Sequence, residues 1–302
     1  TMRYNKQYST PDELVQLLKN RGLVVEDEKA ALQSIRSIGY YRLSAYLHPF
    51  LSIPKTAHVF KRDTTLNQAM RIYEFDRNLR LLIFNQIERI EIAVRSAIVN
   101  ITCKNTNNPF WMTDACMYAH ADKFQKTMPL IDKELLTTRE DFIKHFRETY
   151  IDPYPPSWML SEILPFGVLT RVYDNISSNQ IRKSIAQYFD LNIPVFASWL
   201  TIITVTRNAC CHHARLWNRK LSIRALQMNR WKSPWVSDLV QQGRIFFTFC
   251  ILKHFMDIVH PQNTLKEDLK ALLQAYPNVD VTAMGFPKNW EEEPLWCSTS
   301  RG

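Results

Sequence analysis

The sequence predicts an all-α protein, and three observations lead to that prediction. The chain has 302 residues but only six glycines, far fewer than average usage would supply. Helix-capping signals followed by apolar residues at helical spacing recur along the chain. No alternation of apolar and polar residues persists long enough to indicate a β-strand. Glycine-rich phosphate loops and tight hairpins are therefore largely excluded, and long helices are the expected elements.

Composition and charge describe a globular protein with a basic surface. Apolar residues make up 46% of the chain and charged residues 22%, which is ordinary for a folded protein, and the length suffices for one large or two modest domains. The formal net charge is +9. A cationic surface attracts polyanions, so nucleic acid is a candidate partner. Many basic proteins have no nucleic-acid role, so charge alone leaves both possibilities open.

Cysteine usage and the apolar runs indicate a soluble, cytoplasmic protein. None of the six cysteines forms a CxxC pair, and the adjacent Cys210 and Cys211 are poorly placed for a structural disulfide. The segment TMRYNKQYSTPDEL lacks the apolar core of a signal peptide. The most apolar run, from Phe246 to Leu252, is too short to span a bilayer. We therefore expect no membrane partner.

The first elements form a small N-terminal helical module over residues 1–63. Thr10-Pro11-Asp12-Glu13 is a capping box with proline at the first helical position, and Gly22 can close that helix. A second helix is expected from about Asp27 to Ile38, where Gly39 stops it. The aromatic and basic segment 39–46 follows, and then a loop to about residue 63.

The longest predicted helix begins at the capping box Thr65-Leu-Asn-Gln68 and continues to about Thr102. Its apolar residues keep helical spacing, and its opposite face is charged. Such a face is most often simply solvated, with contact to RNA or a partner as the less common alternative. The apolar line is Leu79, Ile83, Ile87, Ile90, Val94, Ala97, Ile98 and Ile101, and the charged face is Asp76, Arg77, Arg80, Glu88, Arg89 and Arg95.

The remaining elements complete a helical domain over residues 64–260, with a C-terminal tail, 261–302, packing on it. Residues 103–125 are expected to be irregular. Pro165 is expected to break the stretch from Trp158 to Tyr173 into two short helices. The other predicted helices are a charged one at about 127–150, one capped by residues 177–180 and ending near Phe189, one from Pro194 to about Lys220, and one at about 234–259.

The segment from Trp199 to Arg219 carries the residues that indicate chemistry. If it is one continuous helix, its polar residues lie within roughly 40° of one line, and Arg207 lies at the edge of that polar arc. His213 lies near the edge of the apolar stripe. The polar line is Thr201, Thr204, Asn208, His212, Arg215 and Arg219, and the core stripe is Trp199, Ile203, Thr206, Cys210, Ala214 and Trp217.

These residue types suit RNA cleavage by attack of the 2′-OH on its neighbouring phosphate. Histidine titrates near neutral pH and can move the proton, while arginine can stabilise the extra charge on the phosphate. The ordinary alternative is that His212 and the arginines pair with carboxylates of the long helix. No acidic residue lies between Asp190 and Asp238, which favours the functional interpretation.

Other chemistries fit this segment less well. The run Cys210-Cys-His-His213 suggests a metal, but four consecutive residues of one helix point in different directions, whereas zinc needs converging ligands. Adjacency in a helix also does not pair a cysteine nucleophile with a histidine. The chain contains no Walker motif and no G-x-S-x-G motif. We expect no metal and no cofactor.

Arg207-Asn-Ala-Cys-Cys-His212 matches the R-x4-6-H motif of HEPN ribonucleases. The sequence around this motif resembles the Abi-like family of the AbiD/AbiF abortive-infection type, over roughly residues 5–260. The segments that carry the resemblance are GYYRLSAY (39–46), YEFDRNLRLLIFNQIERIEIAVR (73–95), PSWMLSEILPFGVLTRVY (156–173) and RNACCHHARLWNR (207–219). The sequence departs from that pattern in placing cysteine at 210 and 211, where an apolar and a small residue are expected.

The resemblance implies a HEPN-type helical bundle that cleaves RNA without metal, as a homodimer with a shared active site, in bacterial anti-phage defence or as a toxin. It implies a small structured RNA or an antitoxin as inhibitor. Carried onto this sequence, it makes Arg207 and His212 catalytic and Asn208 and His213 supporting or orienting residues. The flanking residues expected to bind RNA are Arg215, Asn218 and Arg219.

Two further hypotheses remain beside the endoribonuclease. One is a non-catalytic RNA-binding or regulatory HEPN protein, and the other is a purely structural dimerisation module. The intact pair of Arg207 and His212 argues against both, because a binder needs no titratable residue there. The motif occurs once per chain, whereas efficient cleavage needs both an acid and a base. On a helix the two residues project about 140° apart with roughly 7.5 Å of rise, which favours a site shared by two chains.

Overall fold

The prediction of an all-α fold is confirmed by a computed structural model that describes Arg3 and residues 7–297. In that part of the chain helices connect through turns and loops, without β-strands. Isolated bridges join Val24 to Thr65, Leu51 to Phe60 and Tyr118 to Ile176. Residues 1–2, 4–6 and 298–302 lie outside the described part. Two predictions fall partly on them: that the segment TMRYNKQYSTPDEL is not a signal peptide, and that the tail 261–302 packs on the helical domain.

The chain divides into two compact units. The first consists of the chain up to Arg80 together with Arg215–Trp217 and Lys270–Asp280, and the second consists of Leu81–Ala214, Asn218–Leu269 and the chain from Val281 onward. The predicted domain boundaries at residues 63 and 260 stay a prediction.

The first unit begins with helices whose ends follow local capping rules. Helix α1, Pro11–Asn20, has the predicted capping box, in which the Thr10 side chain accepts from the backbone N–H of Glu13 and the Glu13 side chain accepts from that of Thr10. Helix α2, Glu28–Ile38, has Asp27 as its N-cap. Gly39 follows at φ +87°, a left-handed conformation that glycine adopts without a steric penalty. The chain then enters helix α3, Tyr40–Leu47, where the sequence predicted no helix.

Asp76 is the buried polar centre of the first unit. It belongs to helix α4, Leu66–Thr106, and has no solvent exposure. The expectation that the charged face of this helix is solvated is therefore wrong at Asp76 and also at Arg80, which is 6% exposed. Four groups donate to the Asp76 carboxylate: the Tyr46 hydroxyl at 2.6 Å, the Arg80 guanidinium, and the backbone N–H groups of Leu216 at 3.0 Å and Trp217 at 2.6 Å.

The predicted start and apolar line of α4 are confirmed. Thr65 and Gln68 exchange the two hydrogen bonds of a capping box. The apolar line is buried from Leu79 to Ile98, and Ile101 is half-buried. The helix ends four residues later than predicted, and Asn107 follows with φ +51°.

The second unit contains the later part of α4 and most of the remaining helices. The break at Pro165 is confirmed. The charged helix predicted at 127–150 is wrong in its continuity, because the chain leaves the helical region at Thr138. The helices are α5 (Ala121–Thr137), α6 (Asp141–Thr149), α7 (Ser157–Ile163), α8 (Phe166–Asn175), α9 (Asn179–Tyr188), α10 (Ile193–Cys211), α11 (Ile245–Val259), α12 (Leu265–Ala275, which ends in the first unit) and α13 (Pro294–Cys297).

Helix α11 forms the centre of the second unit's core. Its residues from Ile245 to Asp257 are all buried, and the charges of Lys253 and Asp257 are paired with each other inside it. Rings from other elements pack against Phe255, including Phe189 and Trp199. The predicted start near residue 234 is wrong, since residues 218–244 carry no regular helix.

No single helix among the described residues is long and apolar enough to cross a membrane. The bent pair formed by α9 and α10 meets that test on length and composition alone.

Candidate active site

The candidate site lies on helix α10, and local capping signals in the sequence account for where this helix begins. The Asn192 side chain caps the helix by accepting from the backbone N–H of Val195, and Pro194 lies in the first turn. Both are favourable at a helix N-terminus. The predicted core stripe is buried along the helix at Trp199, Ile203, Thr206 and Cys210. This burial fixes the direction in which the remaining side chains project.

The end of α10 differs from the prediction that it continues to about Lys220. His213 adopts φ +54°, its N–H bonds to the carbonyl of Cys210 at 3.0 Å, and the N–H of Ala214 bonds to the carbonyl of Ala209 at 2.8 Å. These bonds form a Schellman motif, which ends a helix and usually has glycine where His213 stands. The helix therefore ends at Cys211, and His212 is its C-cap. Arg215 and Arg219 do not extend the polar line of α10.

Arg207 forms an ion pair with a carboxylate of the long helix. Its Nε lies 3.3 Å from Oε1 of Glu91, and the two side chains are 36% and 15% exposed. Neither atom makes a directed hydrogen bond, so charge rather than hydrogen-bond geometry holds the pair. The ordinary alternative considered from the sequence, that an arginine of this segment pairs with the long helix, is realised at Arg207.

The environment of Glu91 disfavours its charge. Burial raises the pKa of its carboxyl, the positive charges of Arg207 and Arg95 oppose that rise, and Glu88 adds to it. Burial also lowers the pKa of Arg95, whose guanidinium donates to the carbonyl of Leu164 at 3.1 Å. A cavity of about 220 Å³ opens beside the ion pair, lined by Phe84, Ile87, Glu88, Ile92 and Arg95.

Sequence reasoning missed Glu91. It stands four residues after Ile87 and three before Val94, so it lies on the flank of the buried apolar line of α4. An acidic residue in that position needs a cationic partner when it is partly buried. That signal is present in the sequence, but the partner is more than a hundred residues away and only the fold identifies it.

The other residues predicted on α10 are exposed. Asn208 places its Oδ1 3.5 Å from Nη1 of Arg207, a distance that makes a weak contact at most. His212 and His213 are both exposed. Arg207, Asn208 and His212 thus all belong to the C-terminal end of one helix, and no two of their side chains are joined by a hydrogen bond shorter than 3.5 Å.

The three residues predicted to bind RNA have different environments. Arg215 belongs to the first unit, where its guanidinium is half-buried and donates to the carbonyl of Ala45 at 2.9 Å. Asn218 is exposed with φ +51°, a left-handed conformation that asparagine tolerates better than most residues. Arg219 is exposed in the second unit. RNA binding by these residues stays a prediction.

Apolar side chains stand exposed on the two helices that carry the ion pair. The exposed fraction is 54% for Leu81, 38% for Phe84 and 57% for Ile92 on α4, and 37% for Val205 on α10. Among the described residues, no three His, Cys, Asp or Glu side chains gather closely enough to hold a metal ion together.

Comparison with known proteins identifies a family for the part of the chain that contains α4 and α10. A family model described as Abi-like protein matches residues 33–218. The match includes Glu91 and the whole of α10 with its predicted motif, and it ends before Arg219. No curated protein and no solved structure matches the chain.

Proposed function

Because the chain belongs to the Abi-like protein family, we propose that it is a metal-independent HEPN endoribonuclease that acts in bacterial abortive infection against phage. The family name supports the defence role. The nuclease activity rests on the residues at the end of α10.

One observation carries the proposal. The C-terminal end of α10 presents a half-buried arginine and, five residues later, an exposed histidine at its C-cap. The opposite side of the helix is buried in the core, so these side chains are held on a rigid element, as a catalytic group requires. A dimerisation or packing role needs neither an exposed imidazole nor a guanidinium at this end of the helix.

The chemistry follows from what these groups can do. The 2′-oxygen of RNA attacks the adjacent phosphorus, a P–O bond forms, and the bond to the 5′-oxygen breaks. A base takes the proton from the 2′-OH, and an acid gives a proton to the leaving 5′-oxygen, which leaves a 2′,3′-cyclic phosphate. His212 serves as one of these proton-transfer groups, and Arg207 stabilises the charge on the phosphate oxygens. Asn208 and His213 orient the pair.

A homodimer is part of the proposal. One His212 cannot conveniently act as both base and acid in a single step, whereas a two-fold dimer brings a second copy to the same strand. The exposed apolar residues of α4 and α10 support an interface next to Arg207, because burial of such side chains favours association. An inhibitor, either a small structured RNA or an antitoxin protein, belongs to the proposal on the resemblance alone.

A second function is favoured by one observation. Glu91 balances the charge of Arg207 within the chain, as expected of a structural ion pair. In a non-catalytic RNA-binding or regulatory protein, this pair would stabilise the fold, and RNA would bind to the basic surface without being cut.

Incubation of the purified protein with labelled RNA in EDTA tests the proposal, with the His212→Ala variant beside it. We expect cleavage that EDTA does not stop, products ending in 2′,3′-cyclic phosphate or 3′-phosphate, and no cleavage by the variant. RNA with a 2′-O-methyl group at the cut should survive because the nucleophile is missing. Products with 5′-phosphate ends, or abolition by EDTA, would contradict the mechanism. Binding without any cleavage would favour the second function.

A further inference from the structure

The segment from Asn218 to Arg244, here called the basic segment, combines high positive charge with a fixed path. It contains six cations (Arg219, Lys220, Arg224, Arg230, Lys232 and Arg244) and one acid, Asp238. All of these cations except Arg244 are exposed. None of the five exposed cations forms an ion pair with the part of the chain that is described. Their charge is therefore available to an external anion.

The basic segment has no regular helix, but hydrogen bonds hold it to helix α10. The indole N–H of Trp199 donates to the carbonyl of Leu226 at 2.8 Å, and the backbone N–H of Leu226 donates to Oγ of Ser198 at 2.9 Å. A third bond joins the N–H of Leu221 to the carbonyl of Gly243 at 2.9 Å, near the two ends of the segment.

Tryptophan stacking fixes the part that carries Arg230 and Lys232. Trp231 stacks on Trp235 with ring centroids 4.2 Å apart, and Trp235 stacks on the buried Trp199 at 5.1 Å. Apolar side chains thus anchor the segment while its cations face solvent. An anchored segment loses less conformational entropy on binding than a flexible one, which favours affinity.

We propose that the basic segment binds the phosphate backbone of RNA and leads the strand toward the end of α10. Ser198, which accepts the hydrogen bond from Leu226, precedes Arg207 by nine residues on the same helix, roughly 14 Å along the axis. A strand bound along the segment therefore lies within a few nucleotides of the candidate site. The choice of RNA rests on the proposed function, whereas the binding of a polyanion rests on the segment itself.

This binding is electrostatic and independent of sequence. Three of the five exposed cations are arginines, whose planar guanidinium matches phosphate oxygens. Each phosphate contact that is lost lowers the slope of log affinity against log salt by roughly 0.7 for a single strand. Removal of three cations should therefore lower the slope by about 2.

The test compares two variants that remove the same charge. The first is Arg224→Gln/Arg230→Gln/Lys232→Gln. The matched control is Lys104→Gln/Lys133→Gln/Lys183→Gln on α4, α5 and α9, where all three lysines are exposed and form no ion pair with the described part of the chain. The probe is fluorescent single-stranded RNA with 2′-O-methyl groups throughout, so the result does not depend on cleavage.

We expect the basic-segment variant to lose about tenfold in affinity and about 2 units of salt slope, while the control stays within about twofold. The charge-conserving Arg224→Lys/Arg230→Lys variant should keep most of the affinity. Equal losses of affinity in the first variant and the control would mean that net charge alone attracts RNA, and this would overturn the proposal. Full affinity in the first variant would also overturn it. Binding to anionic phospholipid vesicles in preference to RNA would assign the segment to a membrane surface and also overturn the proposal.

The inference and the proposed function can fail separately. If the protein cleaves RNA and the basic-segment variant keeps full RNA affinity, only this inference is refuted. If the protein binds RNA through the basic segment without cleaving it, only the proposed nuclease is refuted.

Discussion

Nε of Arg207 lies 3.3 Å from Oε1 of Glu91, which joins the predicted catalytic arginine to a helix more than a hundred residues earlier in the chain. The pair leaves the terminal nitrogens of the guanidinium to other partners, and Nη1 lies 3.5 Å from Oδ1 of Asn208. Glu91 is thus in a position to orient Arg207. Three proposed roles can therefore be tested separately: phosphate stabilisation by Arg207, orientation of Arg207 by Glu91, and proton transfer by His212.

Replacement of His212 by alanine should abolish cleavage while RNA affinity is retained. Proton transfer by a positioned side chain contributes about 10²–10⁴-fold in rate, whereas phosphate affinity is spread over many cations. The measurements are single-turnover cleavage and binding of 2′-O-methyl RNA. His145→Ala, at another exposed histidine of the second unit, is the matched control and should leave both unchanged. If folded His212→Ala protein loses binding, His212 has a different role. Arg207→Ala should weaken both cleavage and binding moderately.

Replacement of Glu91 by glutamine should slow cleavage roughly ten- to a hundredfold through loss of orientation, with little change in RNA affinity. Glu88→Gln lines the same cavity but leaves the ion pair intact, and it should retain activity. An unchanged single-turnover rate in Glu91→Gln would show that the pair has no positioning role.

The pH dependence of stability gives a second test of Glu91. Burial raises the pKa of this carboxyl in the folded chain, so the folded state holds the proton to a higher pH than the unfolded state does. The stabilising contribution is fully present below the ordinary pKa of glutamate and is lost as pH rises through the raised value. Glu91→Gln should flatten this part of the curve of unfolding free energy against pH. Thermal unfolding at a series of pH values measures it, and an unchanged curve would argue against the raised pKa.

Replacement of Asp76 by alanine should destabilise the protein strongly. The change removes the carboxylate that pairs with the buried Arg80 and that accepts from two backbone N–H groups. Loss of one member of a buried pair costs about 3–5 kcal/mol. Denaturant unfolding measures the effect. The control is Asp152→Ala, at an exposed residue of the loop before α7, which should change stability by less than about 0.5 kcal/mol. Near-normal stability of Asp76→Ala would mean that the hydrogen bonds to Asp76 contribute little to the free energy of unfolding.

The proposed homodimer predicts a link between assembly and activity. Ile92→Glu and Val205→Glu each place a charge among the exposed apolar residues of α4 and α10, and we expect both variants to shift the protein to monomer and to lose cleavage. Leu136→Glu, at a 78% exposed leucine on α5, is the matched control. Analytical ultracentrifugation beside the cleavage assay measures the link. A monomeric protein with full activity would refute the shared site.

Mixing inactive chains gives the shared site a further test. His212→Ala and Arg207→Ala chains, each inactive or impaired alone, should together regain part of the cleavage when the essential groups come from different chains. Absence of recovery in a mixture that forms heterodimers would argue that each chain supplies its own pair.

The sequence by itself determined the elements whose signals are local. The capping boxes at Thr10 and Thr65, the break at Pro165 and the apolar line of α4 are correct because each depends on residues a few positions apart. The Abi-like resemblance also came from the sequence, and the family match confirms it. The catalytic roles of Arg207 and His212 are predictions from the segment 199–219 and from that resemblance.

Only the tertiary structure decided where α10 ends and which charges are buried. In a helix continuing through this segment, the N–H groups of Leu216 and Trp217 would bond to carbonyls four residues earlier, but both donate to the buried Asp76 instead. Helical periodicity gave no sign of this competition, because Asp76 is about 140 residues away in the chain. For the same reason the pairing of Glu91 with Arg207 required the fold: a partly buried carboxylate shows that a partner is needed, and the packing of distant helices selects which one it is.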